Sequence, residues 1–210
     1  MELGLTKLAH RFSIKTHPEV YDPAEDTLLL ANNLTARKDD KILEIGVGSG
    51  YVSLMASGNA KIVVGTDLNI HAAKLAKLNA KLNNIPNVDF VFGDLFGPIG
   101  ERFDLIVINP PYLPETGGIE PRHIDLSWNG GKDGRRVIDK FLEDVSKYLD
   151  TNGRILMVQS SISDNNKTMK ILVAQGFEVR IIAEEKLFFE TLFLIEAKAS
   201  SGHPQRAHQL

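Results

Sequence analysis

The chain has 210 residues, 43% of them hydrophobic and 24% charged, which is ordinary for a globular protein with room for one domain and a substantial core. Its formal net charge of -3 argues against holding nucleic acid by overall charge, because such binding is built from phosphate neutralisation. It has no cysteine, which excludes disulfides and thiolate metal sites, and its six histidines lack ligand spacing, so no metal site of its own is expected.

Residues 1–17 have mixed polarity and no clear period, consistent with a loose arm or a short strand. They lack the apolar core of a secretory leader, and nowhere does the chain reach the roughly 18 apolar residues of a membrane span; a cytoplasmic protein is expected. Next, Asp22 suits a helix N-cap, Pro23 the first helical position, and Glu25 and Asp26 the first turn of a helix running on through Leu34. Residues 41–45 form a short apolar strand that runs into Gly46-Val47-Gly48-Ser49-Gly50-Tyr51, with a helix following from about Val52. Strand, glycine-rich turn and helix make a nucleotide-binding βα unit. A dinucleotide fingerprint would want a third glycine where Tyr51 stands, and Glu44 at the strand end would repel a pyrophosphate. The acid suits a ligand carrying a sulfonium and an ammonium, so S-adenosylmethionine is favoured over NAD.

Residues 61–67 are a second strand ending in Asp67, placed to take the two hydroxyls of a ribose. Asn69 caps a helix to about Leu82 with Ala73, Ala76 and Ala80 on one face and lysines on another. Residues 88–95 are a third strand whose Asp94 can accept from an adenine amino group while Leu95 flanks the ring. Acids at three successive strand ends point to a nucleoside site.

The fourth strand, residues 103–108, delivers Asn109-Pro110-Pro111-Tyr112, at the end of a strand where ligands of open α/β sheets bind. Two prolines fix φ, remove two donors and leave the carbonyls of Asn109 and Pro110 without helical partners. A carboxamide beside free carbonyls can accept both protons of a planar NH2 group, and Tyr112 offers a flat face to pack on it. Those are the needs of methylating an amide or an exocyclic amine. Residues 113–136, rich in glycine and proline and holding the only tryptophan, are expected to form an ordered substrate-facing lid. A helix over 137–149 closed by Asn152-Gly153, a fifth strand over 154–159, a helix over 165–175 stopped by Gly176, and two last strands over 177–182 and 187–197 joined by a turn at 183–186 complete the pattern.

This pattern resembles a class I S-adenosylmethionine-dependent methyltransferase. The fold expected is α/β and Rossmann-like: a seven-stranded, mostly parallel sheet of order 3-2-1-4-5-7-6, the last-numbered strand antiparallel, with helices on both faces. Residues 20–27, Val-Tyr-Asp-Pro-Ala-Glu-Asp-Thr, and 128–135, Trp-Asn-Gly-Gly-Lys-Asp-Gly-Arg, resemble segments flanking the core motifs of HemK-like eukaryotic and archaeal release-factor glutamine methyltransferases. An N-terminal arm (1–19), a catalytic domain (20–198) and a polar tail (199–210) are expected, without the N-terminal helical domain of bacterial HemK enzymes.

The resemblance implies methylation of the glutamine amide in the Gly-Gly-Gln tip of a translation release factor. It places cofactor contacts on Thr27, Glu44, Gly46, Gly48, Asp67, Asp94, Leu95 and Asn109, with Tyr21 and Glu25 in the matching N-terminal segment. Asn109, Pro110 and Tyr112 become the catalytic group, and with Pro111 the substrate site. It also implies a small zinc-ribbon activator subunit along the edge strand 88–92, which carries any zinc; a Phe-rich edge without proline or lysine guards needs a cover. Three alternatives stand beside it: methylation of adenine N6 or guanine N2 in nucleic acid, with basic residues of 122–136 following the phosphates; methylation of a protein lysine; and a non-catalytic cofactor-binding scaffold.

Overall fold

The computed structural model describes residues 5–6, 11–115 and 123–199. A sheet of seven strands runs in the order β5 (Val88–Phe92), β4 (Ile62–Asp67), β3 (Lys41–Ile45), β6 (Phe103–Ile108), β7 (Leu149–Ser160), β9 (Thr191–Ala199) and β8 (Phe177–Lys186). Counted from the strand at Lys41, that is the expected order 3-2-1-4-5-7-6. The first five of these strands pair in parallel, and β9 is antiparallel to both of its neighbours. Outside the sheet, β1 (Leu5–Thr6) and β2 (Ile14–Lys15) pair antiparallel.

The central strands are apolar on both sides and sort their side chains by strict alternation. Ile42, Leu105, Val107, Leu156 and Val158 face α1 (Glu25–Asn33), α2 (Tyr51–Ala56) and α3 (Ile70–Leu82). Leu43, Ile106, Ile108, Ile155 and Met157 face α4 (Arg136–Tyr148) and α5 (Asn165–Ala174), where Phe141, Val145 and Leu172 are buried. With both faces covered, the carboxyl ends of β3, β4, β5 and β6 open on one rim, where Gly46 and Gly93 of the loops donate to the β4 carbonyls of Thr66 and Asp67. Among the described residues, no helix is long and apolar enough to cross a membrane.

Several boundaries differ from the sequence expectation. Helix α1 begins at Glu25 behind an extended Ala24 with no side-chain cap, so Asp22 does not cap it and Pro23 lies outside it. The extended run lets Tyr21 reach the rim. The third strand stops at Phe92, and Leu95 turns back with φ +47°, its carbonyl held by the buried Thr66 hydroxyl at 2.9 Å. Asn152-Gly153 does not close a helix: α4 ends at Tyr148, and both residues lie within β7. The last hairpin turns at 187–190 rather than 183–186, because a register shift between Ile181 and Ala183 lets pairing continue to Lys186 opposite Thr191. Ala199, the first residue of the polar tail expected over 199–210, ends β9 instead, and residues 200–210 lie outside the described residues.

Candidate active site

A cavity of about 910 Å³ opens at the carboxyl rim of the sheet. Its floor is the glycine turn between β3 and α2, where Gly46, Gly48 and Gly50 all take positive φ. At Gly50 a Cβ would stand 2.8 Å from the Ala76 Cβ, so only glycine lets the turn lie this close to α3. Asn79 of α3 holds the same turn from beneath, donating to the Ser49 carbonyl at 2.9 Å.

The three strand-end acids converge on this cavity. Glu44 is 3% exposed and accepts from the Ser53 hydroxyl. Burial pushes its carboxyl up to about 8, against the pull of the Ser53 hydrogen bonds, and the charge of Asp67 adds to the rise. Asp67 accepts from the backbone N–H of Gly48 at 3.0 Å and of Asn69 at 2.8 Å. Burial raises its carboxyl too, and those amides draw it back. Asp94 and Leu95 form the adjoining wall, and Tyr21 and Thr27 close the cavity from the N-terminal side. Glu25 is not on the cavity wall; it starts α1, exposed, and only its charge reaches Tyr21.

Asn109, Pro110 and Pro111 line the opposite wall. The Asn109 Oδ1 is buried and accepts no hydrogen bond among the described residues. Tyr112 sits behind this wall, half-buried between both cores. Its hydroxyl donates to Asp26 Oδ2 at 3.4 Å, while the Tyr21 hydroxyl approaches Asp26 Oδ1 at 3.5 Å. Burial first, and then the charge of Asp26, push both tyrosine hydroxyls up from their ordinary range. Asp26 is 5% exposed and also takes the Thr27 N–H at 2.6 Å. Sequence reasoning saw Asp26 only as a first-turn acid and passed over Glu190, whose charge also reaches both tyrosines. Neither had a local signal, since both roles arise from contacts between distant segments.

The turn after the prolines is locked by the segment 128–135. Leu113 donates to the Trp128 carbonyl at 2.9 Å, Gly130 to the Leu113 carbonyl at 2.8 Å, and Glu115 to the Gly131 carbonyl at 2.9 Å. Gly134 lies against the Tyr112 carbonyl, where a Cβ would approach to 2.2 Å. Arg135 is 3% exposed and spends its guanidinium on the carbonyls of Ser163 and Asp164, at 2.6 and 2.8 Å, and on Asp139. It anchors the loop, with four of its five guanidinium N–H groups committed to bonds within the chain. A short 3-10 helix, His123–Ser127, places Asp125 to Ser127 on the cavity wall beside Trp128, as expected of a lid; residues 116–122 of that stretch lie outside the described residues.

Residues 11–121 match the family model described as the methyltransferase small domain. Fold, rim and matched family together define a Rossmann-like methyltransferase. The chain is 44% identical over 186 residues to the putative protein N5-glutamine methyltransferase of Methanocaldococcus jannaschii, covering 88% of this chain and 94% of that protein. It is 31% identical over 192 residues to human methyltransferase HEMK2, covering 85% and 89%. Among solved structures, it superposes with a TM-score of 0.68 and 26% identity on the E. cuniculi Mtq2–Trm112 complex, responsible for methylation of the eRF1 translation termination factor, covering 87% of this chain and 99% of that one. The chain therefore belongs to the protein N5-glutamine methyltransferases of the HemK type.

Proposed function

We propose that this enzyme methylates the side-chain amide nitrogen of the glutamine in the Gly-Gly-Gln tip of a translation release factor, working in the cytoplasm with S-adenosylmethionine as its cofactor. The observation that carries the reading is the unpartnered, buried Asn109 Oδ1 at the cavity wall, next to two prolines that have no N–H to offer it. An amide NH2 is the group that satisfies it, with one proton to Asn109 Oδ1 and the other to the Pro110 carbonyl. Tyr112, held by Asp26, supports the flat amide from behind.

The donor set fits the cofactor. Glu44 is a buried carboxyl with no cationic side chain paired to it among the described residues, suited to a positive ligand, and Asp67 keeps lone pairs for a ribose diol beyond its amide bonds. Asp94 is placed to receive an adenine amino group, and the open glycine turn lets the ligand approach the backbone of Gly46 and Gly48. When bound, S-adenosylmethionine supplies a methyl group already activated on sulfur. What is left to the protein is to orient a poorly nucleophilic nitrogen and exclude water, contributions that reach about 7–11 kcal/mol in well-aligned systems.

A small zinc-ribbon subunit completes the reading, docked along β5. This strand ends the sheet and pairs only with β4 among the described residues, and its Phe92 is 54% exposed. The test is transfer of labelled methyl groups to a purified release factor and to total RNA, each with and without that subunit. Label on the release factor that depends on the subunit is expected. Label on RNA with the release factor untouched would reassign the Asn109 wall to a nucleobase.

A further inference from the structure

The cavity accounts for the acceptor amide but not for what stands beside it. At the tip of the β8–β9 hairpin, Phe188 and Phe189 are 92% and 90% exposed, packed edge to face with ring centroids 4.6 Å apart. Two bare phenyl rings at one turn are an unfavourable surface unless something covers them.

The rings sit on a firm support. Leu187 donates to the Glu190 carbonyl at 2.9 Å, closing the turn, and its side chain packs against the core under α1. Glu190 accepts from the Ser160 hydroxyl, and Thr191 donates to Ser161 Oγ at 3.1 Å, so the turn is tied to the end of β7. Leu192 pairs with Ser160 at the carboxyl end of β7, which puts the hairpin tip at the same end of the sheet as the cavity, and the charge of Glu190 reaches Tyr21 and Tyr112. The aromatic pair thus stands at the carboxyl rim of the sheet, next in the chain to a carboxylate whose charge reaches Tyr21 on the cavity wall. The residues around the tip are acidic: Glu184 and Glu185 of β8 and Glu190 of the turn outnumber Lys186, itself 3.9 Å from Glu184.

We propose that Phe188 and Phe189 dock the protein substrate, gripping a segment of mixed apolar and basic character next to the methylated glutamine, and so favour the intact protein over a free peptide. The proposal rests on the protein-glutamine reading of the site. The aromatic tip supplies contact area, the acidic residues around it select for positive charge, and the tie of Glu190 to Ser160 fixes both relative to the end of β7.

The test compares the active enzyme, with its subunit where activity needs it, to the Phe188→Ser/Phe189→Ser variant; both positions are solvent-exposed, so the fold does not depend on them. The acceptors are the intact release factor and a blocked Gly-Gly-Gln tripeptide too short to reach the tip. Expected for the variant is a rise in KM for the release factor of at least about tenfold, with kcat, cofactor affinity and tripeptide kcat/KM unchanged, and with recovery in a double Leu variant. An unchanged KM overturns the docking role while leaving the glutamine chemistry intact. So does a wild-type dimer that dissociates in the variant at constant KM, because the rings would then cover a second copy. A wild-type enzyme that labels no release factor removes the reading on which the proposal rests, and is told apart because the defect is not confined to the variant.

Discussion

Asn109 Oδ1 is an acceptor that the fold buries and then leaves empty, a condition that costs about 1–3 kcal/mol for an ordinary polar group. Its two successors are prolines, so the nearest backbone cannot relieve it. On the proposed reading, stability is given up at the point where the substrate amide is held. Glu44 carries a second such tension. Its pKa is raised to about 8, so in the free protein it holds a proton at neutral pH. A cation bound beside it favours the carboxylate, so cofactor binding should release a proton near pH 7, and affinity should climb with pH until about 8 and then level. Calorimetry in two buffers of different ionisation heat measures this directly; a proton release that is unaltered in Glu44→Gln would contradict it. The sign for stability is opposite. A carboxyl whose folded value lies above its usual 4.5 contributes most below that pH, and the contribution is lost as pH rises through about 8. Glu44, Asp67, Asp94 and Asn109 were legible in the sequence because each lies at, or one or two residues from, the end of an apolar strand, and that end has a predictable place in an α/β sheet. Asp26 and Glu190 were not, because what they do depends on tyrosines that come from elsewhere in the chain.

Helix α3 organises the elements around the cofactor turn. Asn79, fully buried, accepts from the Lys15 N–H at 2.9 Å and donates to the carbonyls of Lys15 at 3.1 Å and Ser49 at 2.9 Å. One turn on, Asn83 brackets Ser13 with two bonds of 2.9 Å. The helix thereby staples β2 to the core and braces the glycine turn at once. Asn79→Ala should lower unfolding stability by about 1–3 kcal/mol and weaken cofactor binding as the turn loosens, as read by denaturant melts and calorimetry. Full cofactor affinity in a destabilised variant would mean that the brace matters only to the arm. Strands and helices of the sheet were readable because buried parallel strands are continuous apolar runs separated by helical periods. The last turn was misplaced for a physical reason: Leu187-Phe188-Phe189-Glu190 has none of the glycine, proline or asparagine that marks a turn, and its apolar pair reads as strand interior. Asn152-Gly153 misled in the opposite sense, carrying a helix-stop signature inside a strand.

On the scale of the molecule, the two edges of the sheet differ in kind. Edge β8 ends in Glu184, Glu185 and Lys186, charges that discourage pairing, whereas β5 ends in the exposed Phe92. That contrast is the physical ground for placing the activator subunit on β5. Phe92→Asp should weaken its binding at least about tenfold while the isolated chain melts unchanged, and equal affinity by titration calorimetry would move the interface elsewhere. The edge itself was readable in the sequence, since the order 3-2-1-4-5-7-6 leaves strand three unpaired on one side. The lid was readable only as a stretch; its bond from Gly130 to the Leu113 carbonyl and its close approach to the Tyr112 carbonyl at Gly134 needed the structure.

The most direct test of the account is mass-spectrometric mapping of the methyl group on a release factor treated with the enzyme and its subunit, wild type beside Asn109→Ala. The account predicts one added methyl on the glutamine of the Gly-Gly-Gln tip, with turnover by the variant lower by at least about a hundredfold and its cofactor affinity within a few fold of wild type. A methyl on a lysine, or an Asn109→Ala enzyme that still modifies the glutamine at the wild-type rate, would contradict it.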